Sequence, residues 1–285
     1  MSEARAAHRE LVAKLFPSLV PIVSFEPVGD GWTCHTYRVN GDWIVQLPRT
    51  AYAAESLRRQ MDVLPELARE VSTAIPAPEL FSRDPVAMGY RRIEGVAATD
   101  ATGVWPERLG RFLYDLHMVR PEFVGMRARG SEVIRRALGA ELTTVSQHVL
   151  PLLSIDEREW LGWRLGTAMG DERTWWFSPC VTHNDLVAAH VLLNDEGDLA
   201  GVIDWEEVAV GDPAADFAWI LGEEPEAGER ALTAYGGAPD DRFRERCWYY
   251  FMIMPWRDVT FGLESGDDDL VERSLALLRE RGQIL

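Results

Sequence analysis

The sequence predicts an α+β protein of two lobes, a small β-rich lobe over 1–92 and a larger helical lobe over 93–285. Three observations predict it. Period-two alternation and turn residues dominate up to Gly95, whereas from Trp105 onward apolar residues recur at spacings of three and four. The 285 residues, 47% apolar and 26% charged, have the composition of a globular chain with ample length to bury a core.

The elements follow in order. Ala7, Leu11, Val12 and Leu15 line one face of a helix over 4–15, which Pro17 and Pro21 end. Val28-Gly29-Asp30-Gly31-Trp32 reads as a glycine-bearing turn between strands. CHTYRV and WIVQLP are two strands joined at Val39-Asn40-Gly41-Asp42, because Asn-Gly accepts the positive φ of a tight hairpin turn. A helix over 53–70, interrupted at Pro65, precedes an extended Ile75–Pro78 stretch and a strand from Ala87 to Ile93. The connector between lobes falls near 91–96. Beyond it, Leu109, Phe112, Leu113, Leu116 and His117 share one helical face. Further helices are predicted around 162–169, 229–235 and 270–281, and LLNDEGDLAGVIDW reads as a hairpin turning at Asp195–Asp198.

The net charge of −17 disfavours nucleic acid and anionic membranes, which basic patches hold, and permits a cationic ligand. Cys34, Cys180 and Cys247 are odd in number and widely spaced, which excludes a disulfide framework or zinc ribbon and suits a reducing compartment. The N-terminus lacks a signal-peptide core, and the longest apolar run, Cys247 to Trp256, falls far short of the roughly 18 residues of a membrane span. The expectation is a cytoplasmic monomer that acts on a small molecule.

The residues that carry chemistry lie between Thr182 and Trp205. Asp185 and Asp204 flank a hairpin, with His190 five residues after the first and fourteen before the second. Phosphoryl transfer uses such a set: one carboxylate orients the attacking hydroxyl and accepts its proton, while another holds the magnesium that bridges the phosphates. Mg²⁺ keeps several waters, so one or two protein ligands suffice.

HNDL-x3-HVLL followed by GVIDWEEVAVGDPAADFA resembles the aminoglycoside phosphotransferase family, antibiotic kinases of protein-kinase-like fold. FEPVGDGW and WIVQLPR resemble the family's first strands, MGYRRIEG its hinge and LGRFLYDLH the helix opening its large lobe, so the resemblance spans most of the chain. It implies Asp185 as the catalytic aspartate, His190 and Asp204 as Mg²⁺ ligands, and ATP or GTP as phosphoryl donor. Asp212 and Asp216 resemble its downstream aspartates, with Asp216 bracing the catalytic loop through backbone N–H groups. The Arg91 carbonyl and Ile93 N–H would face the adenine, between Val45 and Ile203. Core packing is the ordinary use of either apolar side chain.

Three positions depart from the family pattern. His190 stands where asparagine is usual, and imidazole is a softer donor than an amide oxygen. The macrolide phosphotransferase branch is similar in carrying histidine there; the alternative is a buried histidine with satisfied nitrogens. Gln46 stands at the basic position that grips the nucleotide phosphates and Gln60 at the helix glutamate that pairs with it, so both charges are gone together and the amides are free to bond each other. Lys14, the only lysine, precedes the first strand, leaving Arg49 or Arg58 to substitute. Asn184 stands where glycine is commoner and tolerates left-handed angles.

For the substrate, Glu206 and Glu207 follow Asp204 closely, and Asp267 and Asp268 belong to an acidic run. By the resemblance, such carboxylates clasp cationic antibiotics; alone, each reads as a solvated face or helix cap. AHRELVAKLFP and VIDWEEVAVGDPAADFA are also similar to the viomycin and capreomycin phosphotransferases. The implied function is transfer of the γ-phosphate of ATP or GTP to a hydroxyl of a cationic antibiotic. The alternatives are a macrolide phosphotransferase, a small-metabolite kinase, or a binding protein that kept the fold and lost the chemistry.

Overall fold

A computed structural model describes residues 3–29, 33–98 and 103–283. The N-terminal amphipathic segment forms α1 (Glu3–Leu15), then β1 (Phe25–Pro27), β2 (Cys34–Val39) and β3 (Trp43–Pro48). Asp30, Gly31 and Trp32, three residues of the expected glycine-bearing turn, lie outside the described residues. Asn40 and Gly41 take φ of 52° and 81°, closing the β2–β3 hairpin as the sequence predicts. The Asn40 side chain ties that turn to the N-terminal segment, accepting from Val23 N at 2.7 Å and donating to Leu19 O at 2.8 Å.

Next come α2 (Ala51–Glu70), β4 (Pro78–Arg83) and β5 (Val86–Arg91). The small lobe is one antiparallel sheet in the order β1-β2-β3-β5-β4. Its faces differ because side chains alternate along each strand. Val45 and Leu47 of β3 turn toward α1, packing with Val12, Phe25 and Tyr37. Ile44 turns to the other face with Leu57 and Met61 of α2. Pro65 does not interrupt α2, which runs through it. Proline removes one helical hydrogen bond; burial of Leu64 and Leu67, each worth roughly 1.5–3 kcal/mol, offsets that loss.

The large lobe begins with β6 (Val96–Ala97) and α3 (Trp105–Met118), whose predicted apolar face is fully buried. Then follow α4 (Ser131–Val149), α5 (Ile155–Gly170), β7 (Cys180–Thr182), β8 (Val191–Leu193), β9 (Leu199–Val202) and β10 (Ala209–Gly211). The chain closes with α6 (Ala214–Glu223), α7 (Pro225–Tyr235), α8 (Phe243–Ser265) and α9 (Asp268–Gln283). Two small antiparallel sheets, β6-β8-β9 and β7-β10, frame the segment that carries Asp185, His190 and Asp204. Arg246 of α8, fully buried, ties the lobe together by bonding Asp212 at 2.6 Å, Asp240 at 2.8 Å and the Thr174 carbonyl at 3.0 Å. Among the described residues no helix is long and apolar enough to cross a membrane.

Candidate active site

The loop after β7 is fixed by one carboxylate. Asp216, fully buried on α6, accepts from the backbone N–H of His183 at 2.9 Å and of Asn184 at 2.7 Å. His117 of α3 lies 3.0 Å from the same carboxylate, and its other ring nitrogen lies 3.0 Å from the Tyr235 hydroxyl. Asn184 sits at φ 66°, the left-handed geometry that its type tolerates, and its amide donates to the Glu207 carbonyl at 3.1 Å. Gly211 leaves room for this turn: a Cβ there would meet Thr182 Oγ1 at 2.6 Å and Asn184 Oδ1 at 2.9 Å.

His183, buried, lies 2.9 Å from the Ile203 carbonyl through Nε2, and its Nδ1 accepts from the Asp185 N–H at 3.3 Å. A carbonyl only accepts, so Nε2 carries the proton and Nδ1 the lone pair. Burial lowers the pKa of this ring, keeping it neutral and the tautomer fixed. One histidine thereby ties the Asp185 backbone to the residue before Asp204.

His190 connects the two carboxylates directly. Its Nδ1 is 2.7 Å from the Asp185 backbone carbonyl and 3.8 Å from Asp185 Oδ2; its Nε2 is 3.4 Å from Asp204 Oδ2. The carbonyl contact places a proton on Nδ1, and Nε2 is the ring nitrogen that faces the Asp204 carboxylate. When Nε2 carries its lone pair, two acceptors face each other there, an arrangement that a cation between them satisfies. Histidine ligands to metals commonly donate their second N–H to a carbonyl in this way. Asp204, at φ 65°, supplies the oxygen that a hard cation prefers and His190 a softer nitrogen. These residues fit a divalent ion held by one or two protein donors; among the described residues, His, Cys, Asp and Glu form no metal-holding group of three or more.

The site is strongly negative. Burial pushes the Asp185 carboxyl up to about 6, opposed by His190 and Arg257 and reinforced by Asp204 and Glu207. Burial also pushes Glu206 up to about 7, the Thr33 hydrogen bond opposing and Asp204, Glu207 and Asp185 reinforcing. Crowded carboxylates of this kind favour a bound cation. Arg257 of α8, paired with Glu141 of α4, is the positive group in range of Asp185 and Glu207.

The two glutamates point into the small lobe. Glu206 Oε2 accepts from Thr33 Oγ1 at 2.7 Å, and its carbonyl accepts from Ser56 Oγ at 2.7 Å and from Arg59. Glu207 accepts from the Tyr52 hydroxyl. Asp267 caps α9, accepting from Leu270 N at 2.9 Å, and Asp268 is the first residue of that helix. Both line an open hollow with Arg49, distinct from the Asp185–His190–Asp204 cluster.

Two expectations about the small lobe need correction. Gln46 and Gln60 do not bond each other: Gln60 Nε2 donates to Ser56 Oγ at 3.2 Å, and Gln46 Oε1 is buried with no hydrogen-bond partner among the described residues. Ser56, one turn earlier on α2, lies within easier reach of Gln60. Val45 does not face the cleft either, because strand alternation turns it into the α1-side core; Ile44 shares the face of Gln46. At the end of β5, Arg92 N donates to Asp42 O at 2.8 Å, so the trans peptide turns the Arg91 carbonyl away from β3. The Arg91 side chain lies over Trp43, and a Cβ on Gly201 would meet Ile93 Cγ2 at 2.6 Å. Ile203 is half-buried and donates its N–H to the His190 carbonyl at 2.9 Å. Thr33, Tyr52, Ser56, Arg59 and Arg257 join the site without any signal in the sequence, since each does so through a partner far away in the chain.

A sheet-bearing lobe over a helical lobe, with a braced aspartate and a second aspartate beyond a hairpin, defines a kinase-like phosphotransferase. The phosphotransferase enzyme family profile matches residues 24–249, and the chain belongs to that family. It is an enzyme of the kinase type that acts on an alcohol group. Viomycin phosphotransferase of Streptomyces vinaceus is 27% identical over 281 residues, covering 92% of this chain and 94% of that protein. The uncharacterized protein YcbJ of Bacillus subtilis (strain 168) is 26% identical over 69% of this chain and 68% of its own. Among solved structures, the GDP complex of wild-type aminoglycoside 2'-phosphotransferase-IIIa superposes with a TM-score of 0.85 at 22% identity, covering 99% of both chains. Macrolide 2'-phosphotransferase MphH from Brachybacterium faecium gives 0.75 at 23% identity, over 97% of this chain and 98% of that one.

Proposed function

We propose that this chain transfers the γ-phosphoryl group of ATP or GTP to a hydroxyl of a cationic antibiotic, an aminoglycoside or a basic cyclic peptide of the viomycin kind. The observation that carries the reaction is the cluster of Asp185, His190 and Asp204, with contacts of 3.8 and 3.4 Å through one imidazole. The substrate class rests on the −17 charge, on the carboxylates around Asp185, and on the likeness along nearly the whole chain to a viomycin phosphotransferase.

In this reading the nucleotide lies between the small lobe, 1–92, and the helical lobe, 93–285. The Arg91 carbonyl and Ile93 N–H face its base, Gln46 lies near its phosphates and Ile203 beneath it. Asp204 and His190 would hold Mg²⁺, which supplies neutralisation of phosphate charge when bound. Asp185 orients the acceptor hydroxyl and takes its proton; His183 and Asp216 hold the loop in place for that purpose. Glu206, Glu207, Asp267 and Asp268 form the acidic surroundings through which a polycation is drawn. Their present partners, Thr33, Tyr52 and the α9 backbone, compete for them.

Gln46 favours a second reading, a protein that binds nucleotide without transferring it, because its buried amide oxygen replaces a cation that would grip phosphate. Nucleotide consumption in the presence of each drug class separates the two. The proposal expects ATP or GTP consumption that rises with added cationic antibiotic and falls by about 10²–10⁴-fold in Asp185→Ala. Nucleotide that binds but is never consumed, whatever the drug, supports the second reading.

A further inference from the structure

A groove beside α2 gathers more arginines than carboxylates, against the acidic balance of the protein as a whole. Arg58 and Arg59 of α2, Arg83 ending β4, and Arg127 and Arg129 in the loop before α4 line a groove of about 700 Å³ that Glu207–Val210 borders from the large lobe. Its acidic lining is Glu55, Asp62 and Glu207. Asp62 is paired with Arg83, Glu55 lies 3.5 Å from Arg58, and Glu207 holds the Tyr52 hydroxyl. Arg127 and Arg129 are exposed and have no ion pair among the described residues. The Nε–H of Arg59 is shielded from solvent and has no acceptor among them.

None of Asp185, His190 and Asp204 lines this groove, which meets the site only at Arg59 and Glu207. Glu55, Arg59 and Asp62 recur at helical spacing on one face of α2, while Leu57, Gln60, Met61 and Leu64 are buried on the opposite face. In a chain of net charge −17, this groove gathers five guanidinium groups from three separate elements against three carboxylates, and the pairs to Asp62 and Glu55 leave Arg127 and Arg129 with no ion pair among the described residues. The planar guanidinium fork matches the oxygens of phosphate, and an anion with several phosphate groups spans more than one such fork.

We infer that the Arg58–Arg59–Arg83–Arg127–Arg129 groove is a binding site for a small polyphosphate anion, separate from the nucleotide position between the lobes. Because Arg59 also donates to the Glu206 carbonyl, occupancy of the groove bears on the segment that follows Asp204.

The test is calorimetric titration of inorganic tripolyphosphate into the full chain in EDTA buffer, where magnesium cannot recruit it to Asp204. Three proteins are compared: wild type, Arg127→Glu/Arg129→Glu and Asp204→Asn. Both loop arginines are exposed, so the double variant keeps its fold, which circular dichroism verifies. The expected result is one equivalent bound by wild type and by Asp204→Asn, with affinity roughly tenfold or more lower in the double variant, because two guanidinium forks are replaced by charges that repel the anion. Affinity should also fall as salt is raised. No binding to wild type, equal binding by the double variant, or clearly tighter binding by Asp204→Asn would each overturn the assignment, the last by placing the anion beside that carboxylate between the lobes.

Discussion

The catalytic loop and the small-lobe face above it are built on opposite plans. In the loop, every group that fixes Asp185 is buried and paired: Asp216 takes two backbone N–H groups, His183 ties Asp185 to Ile203, and His117 backs Asp216. On the small-lobe face, Gln46 leaves a buried oxygen unpaired, Gln60 turns to its own helix, and cross-lobe contacts come from Thr33, Tyr52, Ser56 and Arg59 to the two glutamates. On the proposed reading, the part that holds the reacting atoms still is over-determined, and the face that admits and releases a nucleotide is held by a few polar contacts that can exchange. In-line geometry would then be stored in the large lobe, and the phosphate grip would rest on the small-lobe face around Gln46.

The comparison can be broken at its strong side first. Asp185→Ala should lower turnover by about 10²–10⁴-fold, with an unchanged circular dichroism spectrum and unfolding midpoint, because the network around it is made by neighbouring backbone. Asp216→Ala should act on both fold and activity. It strands two backbone donors and His117, costing on the order of 3 kcal/mol in urea unfolding, and it lowers kcat while KM for nucleotide stays near wild type. Arg246→Met leaves Asp212 buried without its partner and should cost about 3–5 kcal/mol; because Arg246 bonds Asp212, Asp240 and the Thr174 carbonyl and not Asp185, activity of the folded fraction should persist. Gln46→Met, on the weak side, should change stability by less than about 1 kcal/mol, since Oε1 has no partner to lose. A larger loss there would show that the amide does structural work.

The sequence made the catalytic loop legible because its logic is local or lies within short motifs. Asp185, His190 and Asp204 fall within twenty residues of one another, and Asn184 and Asp216 have residue types that match a left-handed turn and a backbone acceptor. The Asn-Gly hairpin and the α3 face were legible for the same reason. Strands β6, β7 and β10 were not, since two or three residues are too short for alternation to show. Helix α8 was hidden by an apolar run with no period, because its middle, from Tyr249 to Trp256, is buried nearly all round. The contacts to Glu206 and Glu207 were also illegible: no local pattern says that Thr33 or Tyr52 will meet a residue more than 150 positions away.

Phosphorylation of a cationic antibiotic by this chain is read from the mass of the drug. Purified protein with Mg²⁺ and ATP or GTP would be incubated with aminoglycosides, viomycin-type peptides and macrolides, beside Asp185→Ala. The expected result is one added phosphate on a drug of the first two classes and at least about a hundredfold less with the variant. Phosphate on macrolides alone, or on no drug while nucleotide is still bound, would contradict it.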